Sequence, residues 1–563
     1  MEVQIGNALA ADAVPATSLA AARAGHRQGD PMSNQTPRLS GARIKRACSN
    51  LTAAVLVAGM AACGAGSGDD ETPQDPGDGG APPVRGELLV DPPTRVTSLS
   101  AANFLSGLDE PLRQALLLQA GTPVCDVAVY KIRYATVDAG NAATDASGAL
   151  MVPGGTADRC RGGRPIVLYA HGTSTESGFD LTRLDDEENA EGLYLAAFFA
   201  AQGYIVVAPN YAGYDTSSLA HHPYLVAAQQ SNDMIDALSA ARSALPVDDA
   251  SSTTDDGRLY VTGYSQGGYV AMATHRALEA QGRTVTASAP LSGPYALAAF
   301  LDAVFSGQVS DGAPVFGSFL FTAYQQAYGD VYGNPTELFE SPYAAAIDAL
   351  LPSALPRSQL YEQGLLPRAF FSSTPPEPGY AGITPATTPG DLAAVFARGF
   401  AEEHLVTNGF RLAYLQDAAA HPDGGWPAIT NAAPAANPAL PLRQRLAQND
   451  LRNWTPVAPT LLCGGHDDPT VFWLNTQLME AYWATHSAAA PYTILDVDAD
   501  PSGPGDPYTD LKQRFDVARD LVAAAAIAQG ATDGGREAVL DLYHGGLVSL
   551  FCLEAAQEFF ETL

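Results

Sequence analysis

Lysine is nearly missing from this sequence: of 563 residues, only Lys45, Lys131 and Lys512 are lysines. Arginine does not make up the difference, since Lys and Arg together number 30 against 61 Asp and Glu, a formal charge of −31. A nucleic-acid surface needs clustered basic groups to neutralise phosphates, so no nucleic-acid partner is expected. No apolar run is sustained beyond about 18 residues, which excludes a polytopic membrane protein. Cysteine is scarce, and none of the six shows C-x-x-C spacing, so neither a metal nor a cofactor is expected. The acidic run 496–510 matches no EF-hand spacing and reads as a solvated loop. What is present in quantity is apolar surface: 46% of residues are hydrophobic and 16% charged, which suits a large folded core.

Basic charge concentrates at the amino end. Arg38, Arg43, Lys45 and Arg46 precede an apolar stretch at 51–62 closed by small residues, the layout of an export signal over 32–62 rather than of a short buried helix. The tetrad Met60-Ala61-Ala62-Cys63 resembles the bacterial lipobox, with Met60 where Leu is usual. That resemblance implies that Cys63 becomes the lipidated first residue of the mature chain, and Gly64 after it favours the outer membrane. Met32 then reads as the true start, residues 1–31 as an upstream extension, and residues 63–86 as a Gly/Asp/Pro-rich tether. The expected product is a monomer, exported and lipid-anchored to the cell envelope or released from it. Without residues 1–62 it holds 58 acidic and 24 basic side chains, a formal charge of −34.

Export agrees with the remaining cysteines. Cys48 lies in the leader, leaving Cys125, Cys160, Cys463 and Cys552, an even number for an oxidising compartment. Three pairings are open, besides four free buried thiols. Bridges Cys125–Cys160, around an N-terminal β segment, and Cys463–Cys552, between two segments that carry candidate site residues, are expected.

After the tether, 130–152 reads as a β-hairpin, two alternating runs around Gly140 and Gly148. Apolar β-prone runs follow at 165–170, 204–208, 259–262, 285–289, 460–463 and 492–497, as in strands covered on both faces. Helical periodicity at 192–202, 227–245 and 267–281 alternates with them, which implies an α/β fold with a mostly parallel central sheet. Between 294 and 450 the alternation stops, and aromatic, Pro- and Ala-rich sequence reads as broken helices. This segment is expected to be a strandless helical cap over the sheet's carboxyl edge, inserted in a domain spanning 87–563.

The strongest chemical signal is the β-run ending in Gly263-Tyr264-Ser265-Gln266-Gly267, followed by a helical run. A serine on a tight strand-to-helix turn stands clear of the sheet, and the flanking glycines leave room for that turn. This arrangement resembles the nucleophile elbow of the α/β-hydrolases. Ser265 is the candidate nucleophile, with the Gln266 N–H as one oxyanion donor. His171-Gly172-Thr173, directly after the 165–170 run, fits the H-G pattern of lipases and esterases, which makes the Thr173 N–H the second donor and gives His171 a role in shaping the loop.

In this fold the acid and then the histidine follow the serine. Gly465-His466-Asp467-Asp468, after the 460–463 run, resembles the family's acid turn, with Asp468 preferred and Asp467 the alternative. Only His486 and His544 lie downstream. His486 falls in a helical run, whereas His544, in Tyr543-His544-Gly545-Gly546, reads as a glycine loop opening the last helix and is the candidate base. Tyr211-Ala-Gly-Tyr214-Asp215 either borders the site or packs aromatics against the core.

The segments YATVDAGNAATDASGALMVP, YAHGTSTES, GYIVVAPNYAGYD, HHPYL and GYSQGG together resemble the secretory lipase group typified by fungal lipase A, and related bacterial secreted esterases. The resemblance is close from about 129 to 300 and weak through the cap. It implies an α/β-hydrolase fold with a lid-bearing helical cap and hydrolysis of carboxylic esters. The long stretch 500–537 before His544 departs from that pattern. No Lys or Arg occurs at 284–356, which instead holds Phe300, Phe305, Phe316, Phe319, Phe321, Tyr324, Tyr328 and Tyr332. Such a cap disfavours phosphorylated and acyl-CoA substrates and suits neutral small-molecule or polymeric esters. The alternatives are an exported serine peptidase of the same fold, with Glu337, Glu340 and Asp348 available to anchor an amine, and a non-catalytic binding domain.

Overall fold

The computed structural model describes residues 83–108, 110–185, 190–247, 252–487 and 490–563. The export signal, Cys63 and all but the end of the tether lie outside the described residues. That end is already docked. Arg85 pairs with Asp236 at 3.0 Å and the Gly86 N–H donates to Ala135 O at 2.8 Å, so packing starts slightly before residue 87.

The strands among the described residues are β1 (Thr94–Leu99), β2 (Asp126–Val137), β3 (Ala143–Gly154), β4 (Gly163–Ala170), β5 (Ile205–Pro209), β6 (Thr254–Tyr264), β7 (Ala287–Leu291), β8 (Phe371–Ser372), β9 (Phe400–Ala401), β10 (Thr460–Gly464) and β11 (Tyr492–Asp496). All but β8 and β9 form one sheet in the order β1-β2-β3-β5-β4-β6-β7-β10-β11. The strands from β1 to β5 in that order pair antiparallel, and those from β5 to β11 parallel. Parallel strands must be covered on both faces, and this is why β4, β5, β7 and β10 are nearly continuous apolar runs, with buried residues on both sides. This is the α/β-hydrolase fold.

The hairpin turns at 138–142, where the Asp138 carboxylate accepts from the N–H groups of Gly140 and Ala142, each at 2.8 Å. Gly148, read from sequence as a second turn residue, lies instead inside β3. A Cβ there would come within 2.7 Å of Ala208 O on β5, so its glycine serves a close strand crossing.

The cap segment, expected at 294–450, contains the helices Leu297–Phe305, Ala313–Tyr328, Asn408–Ala420 and Pro441–Asn449. It is not strandless: β8 and β9 pair in parallel within it, with the Arg411 guanidinium 4.6 Å from the Phe371 ring and 5.0 Å from the Phe400 ring. Two-residue strands are too short for alternation to show in a sequence. Three backbone hydrogen bonds fasten this segment to loops at the sheet's carboxyl edge. Ser177 N donates to Ser353 O and Ser353 N to Thr175 O, both at 2.7 Å, while Asp311 N donates to Pro469 O at 2.9 Å.

Two disulfides form, Cys125–Cys160 and Cys463–Cys552, as befits a chain that folds in an oxidising compartment outside the cytosol. The second encloses 89 residues between β10 and the last helix. Replacing both Cys463 and Cys552 by Ala is predicted to lower unfolding free energy by about 3–5 kcal/mol in denaturant titrations, as expected for opening a long loop.

Candidate active site

β6 ends at Tyr264 and a helix starts at Gln266, leaving Ser265 alone to turn the chain with φ 59° and ψ −121°. A positive φ is costly for a residue with a side chain, and surrounding contacts must hold it there. The Ser265 N–H donates to Leu291 O at 3.0 Å, tying the turn to the end of β7. A Cβ on Gly263 would stand 2.3 Å from Ala170 O, and one on Gly267 only 1.9 Å from the same oxygen, so both flanking positions require glycine.

His544 meets this serine from the opposite wall. Ser265 Oγ donates to His544 Nε2 at 2.9 Å, and His544 Nδ1 donates to Asp468 Oδ2 at 2.6 Å. The carboxylate that reaches the imidazole is thus that of Asp468, 1% exposed. Its other oxygen accepts from the N–H groups of Thr470 and Val471 at 2.9 and 3.0 Å. The Asp467 backbone N–H instead donates to Tyr543 OH at 3.2 Å. His486 closes an exposed helix end, stacked on Tyr482 at 4.0 Å with Nδ1 2.8 Å from Tyr482 O.

The expectation of a loop around His544 is corrected. Residues Tyr543–Val548 form a π-helical turn between the helices Arg536–Leu542 and Ser549–Glu561. Gly545 and Gly546 suggested a loop because glycine usually breaks helices, but a widened helical turn tolerates it, and such turns recur at functional positions.

The loop after β4 is held from three sides. His171, fully buried, has Nδ1 2.6 Å from Gly172 O and Nε2 3.1 Å from Asn210 O, its single ring N–H donating to one of these carbonyls, and it stacks between Phe179 and Tyr211 at centroid distances of 4.2 and 4.1 Å. Tyr211 OH donates to His171 O at 3.1 Å, and Tyr214 OH to Ser174 O at 2.7 Å. The Tyr211–Asp215 segment therefore packs against the core and supports this loop at once. The Gly172 N–H is taken by Glu191, at 3.1 Å from Oε1. The N–H groups of Thr173 and Gln266 have no acceptor among the described residues, and both belong to segments that flank Ser265, where a carbonyl oxygen gaining charge could be met.

Some supporting groups escaped sequence reading. The Gln266 amide donates to His222 Nε2 at 2.7 Å, and His222 Nδ1 in turn donates to Ala212 O at 3.0 Å. Glu191 and Tyr224, whose hydroxyl lies 2.9 Å from Thr173 Oγ1, were likewise not singled out. The HHPYL segment was the one available signal. All of these contacts join residues far apart in sequence.

Above Ser265 and Gln266 opens a cleft with about 580 Å³ of empty space, its mouth included, walled by Phe300, Phe316, Leu320, Phe370, Val304 and Val471 among others. Among the described residues, no Lys, Arg, Asp or Glu belongs to its lining. Phe300 and Phe316 are thus wall residues, whereas Phe305 and Phe321 are fully buried among other cap aromatics, and Tyr324, equally buried, donates its hydroxyl to Leu225 O below the cap at 3.2 Å. Glu337, Glu340 and Asp348 do not line the cleft and do not gather. Glu337 accepts from Gly333 N, Glu340 pairs with His404, and Asp348 accepts from Tyr332 OH.

Fold and cleft together are those of an α/β-hydrolase, and the comparisons with known proteins agree. The sequence profile of the prolyl oligopeptidase family matches residues 194–308. The rice cell wall degrading esterase LipA of Xanthomonas oryzae is 26% identical, with 82% of this chain and 98% of that chain aligned and a TM-score of 0.57. A solved Legionella pneumophila protein aligns at 20% identity over 79% of this chain and 99% of its own, with a TM-score of 0.54, which speaks to the fold alone. Candida antarctica lipase A aligns at 13% identity over 73% of this chain and 77% of its own; its TM-score of 0.44 adds nothing to the assignment. No protein of curated function matches in sequence. The chain is a hydrolase of the α/β-hydrolase fold.

Burial lowers the His171 and His222 imidazoles to about 4 and about 3, so both are neutral at physiological pH. The unfolded chain takes up protons on these residues near pH 6.5 and the folded chain does not, so acidification from 6.5 toward 4 favours unfolding. Thermal melts of the His222→Asn variant should therefore fall less steeply than wild type over that interval.

Proposed function

We propose that this protein is an exported serine hydrolase that cleaves neutral carboxylic esters with apolar acyl groups through an acyl-enzyme intermediate. The observation that carries the reading is the hydrogen-bonded chain Ser265–His544–Asp468 at the floor of an uncharged apolar cleft. In this reading Ser265 Oγ attacks the ester carbonyl while His544 Nε2 takes its proton. Asp468, buried and already bonded to two backbone N–H groups, holds the imidazole in the tautomer that leaves Nε2 free to accept. The N–H groups of Gln266 and Thr173 receive the oxyanion. Collapse of the tetrahedral species releases the alcohol, which leaves with the proton from His544, and the ester carbon stays on Ser265. Water then repeats the sequence in reverse, delivering its proton to His544 and freeing the acid. The LipA likeness supports ester substrates.

The prolyl oligopeptidase match favours a second reading, an exported serine peptidase. That match spans the elbow but ends at residue 308, short of Asp468 and His544. The scattered Glu337, Glu340 and Asp348 offer no convergent anchor for a substrate amine. We also assign the lipid anchor to Cys63, on the lipobox resemblance and the export that the disulfides imply.

Purified protein should hydrolyse p-nitrophenyl esters and leave aminoacyl p-nitroanilides nearly untouched; amide turnover exceeding ester turnover would reverse the two readings. Ser265→Ala should remove ester turnover by at least about 10³-fold with an unchanged melting curve. Mass spectrometry of the mature protein should find a diacylglyceryl group on Cys63 at the amino terminus, and an unmodified thiol there would mean ordinary secretion.

A further inference from the structure

Two tyrosines stand one residue before two of the groups just described, and each grips the segment that carries another. Tyr264 precedes Ser265, and its hydroxyl donates to the backbone carbonyl of His544 at 2.5 Å, 3.4 Å from the imidazole Nδ1. Tyr543 precedes His544, and its hydroxyl accepts from the Asp467 N–H, one residue before Asp468, at 3.2 Å. It also donates to Asp498 Oδ2 at 2.6 Å. Both phenols are more than nine-tenths buried. Burial, with Asp468 adding to it for Tyr264 and Asp498 for Tyr543, raises both well above the usual phenol value, so each remains a protonated donor.

The π turn explains why such clamps are needed. Its backbone hydrogen bonds run to the fifth residue instead of the fourth, a wider and less regular ladder that side-chain contacts can fix in place. Two hydroxyls add to that ladder: Tyr264 donates to His544 O, and Ser549 to Gly545 O at 2.8 Å. Tyr543 is wedged so closely under the acid turn that a Cβ on Gly465 would meet its hydroxyl at 2.5 Å. Asp498, the acceptor of the Tyr543 proton, is itself paired with Arg519. The disulfide Cys463–Cys552 joins the same strand and helix a few residues further back.

We propose that Tyr264 and Tyr543 are positioning residues that set the height of His544 between nucleophile and acid, Tyr264 from the serine side and Tyr543 from the aspartate side. The proposal rests on the serine hydrolase reading above. Its consequence is that the base is located by backbone clamps on a widened helical turn, and that loss of either hydroxyl slows the chemistry without altering the substrate cleft, to which neither tyrosine contributes. A misplacement of about 1 Å at the base is enough to cost about 100-fold in rate.

The test compares wild type, Tyr264→Phe, Tyr543→Phe and Ser265→Ala by two readouts: kcat and KM on a p-nitrophenyl ester, and the rate of covalent labelling by a fluorophosphonate, which needs the serine and its base but no particular substrate. Each Phe variant should label and turn over about 10- to 100-fold more slowly, with KM within about twofold of wild type and a melting temperature close to it. Labelling of both Phe variants at the wild-type rate overturns the proposal while leaving the hydrolase reading intact. A purely structural role would lower the melting temperature and leave the labelling rate of the folded protein unchanged, and that result also overturns it. Failure of wild type to label at Ser265 would sink the hydrolase reading and this inference together, whereas labelling without ester turnover would change only the substrate and leave the labelling comparison decisive.

Discussion

The rest of the site depends on one backbone constraint, the left-handed turn at Ser265. Holding a serine at φ 59° and ψ −121° costs about 1–3 kcal/mol, and close packing enforces it. Ala170 O at the end of β4 sits where Cβ atoms of residues 263 and 267 would be, and Leu291 O at the end of β7 takes the Ser265 N–H. The turn is thus clamped by the strands on either side of β6. It lifts the hydroxyl out of the sheet plane, toward a helix that arrives some 280 residues later in the chain bearing His544.

Apart from Asp468 behind His544, the chain's large acidic excess stays out of the cleft's lining. The cleft wall is uncharged, and the arginines nearby are employed structurally. Arg443 bridges Asp302 and Asp417, and Arg452 bridges Asp423 and Asp450 with no exposed side-chain surface. Buried pairs of this kind contribute little net stability but penalise any arrangement that separates them, which suits the fixing of a large inserted cap. Arg357, just past the segment that lacks basic residues, lies over the Phe316 ring at 5.5 Å and outside the lining. The cleft thus offers aromatic and aliphatic side chains with a few neutral polar groups, Ser310 and Thr470 among them, which suits the apolar acyl group proposed above.

Much of this was legible in the sequence because it is encoded locally. Each parallel strand is a short apolar run, and the elbow is a strand, five characteristic residues and a helix. Edge strand β1, largely exposed and only weakly patterned, carried no such signal. The choice between Asp467 and Asp468 turns on which of two adjacent side chains faces a histidine 76 residues away, and this depends on the strand's end geometry. Glycines misled twice. Gly148 looked like a turn and marks a strand crossing, while Gly545 and Gly546 looked like a loop and belong to a π turn. The buttresses Glu191, His222 and Tyr224 are ordinary residues whose roles arise only from tertiary contact.

The central claim is that Ser265 carries the acyl group between two half-reactions. Acid quenching of the protein within the first turnovers on a p-nitrophenyl ester, followed by peptide mass mapping, tests it directly. The account predicts one acyl group per molecule, on the peptide containing Ser265, and none in a His544→Gln variant. Acylation at another residue, or ester turnover with no adduct on Ser265 under conditions where deacylation limits the rate, would contradict it.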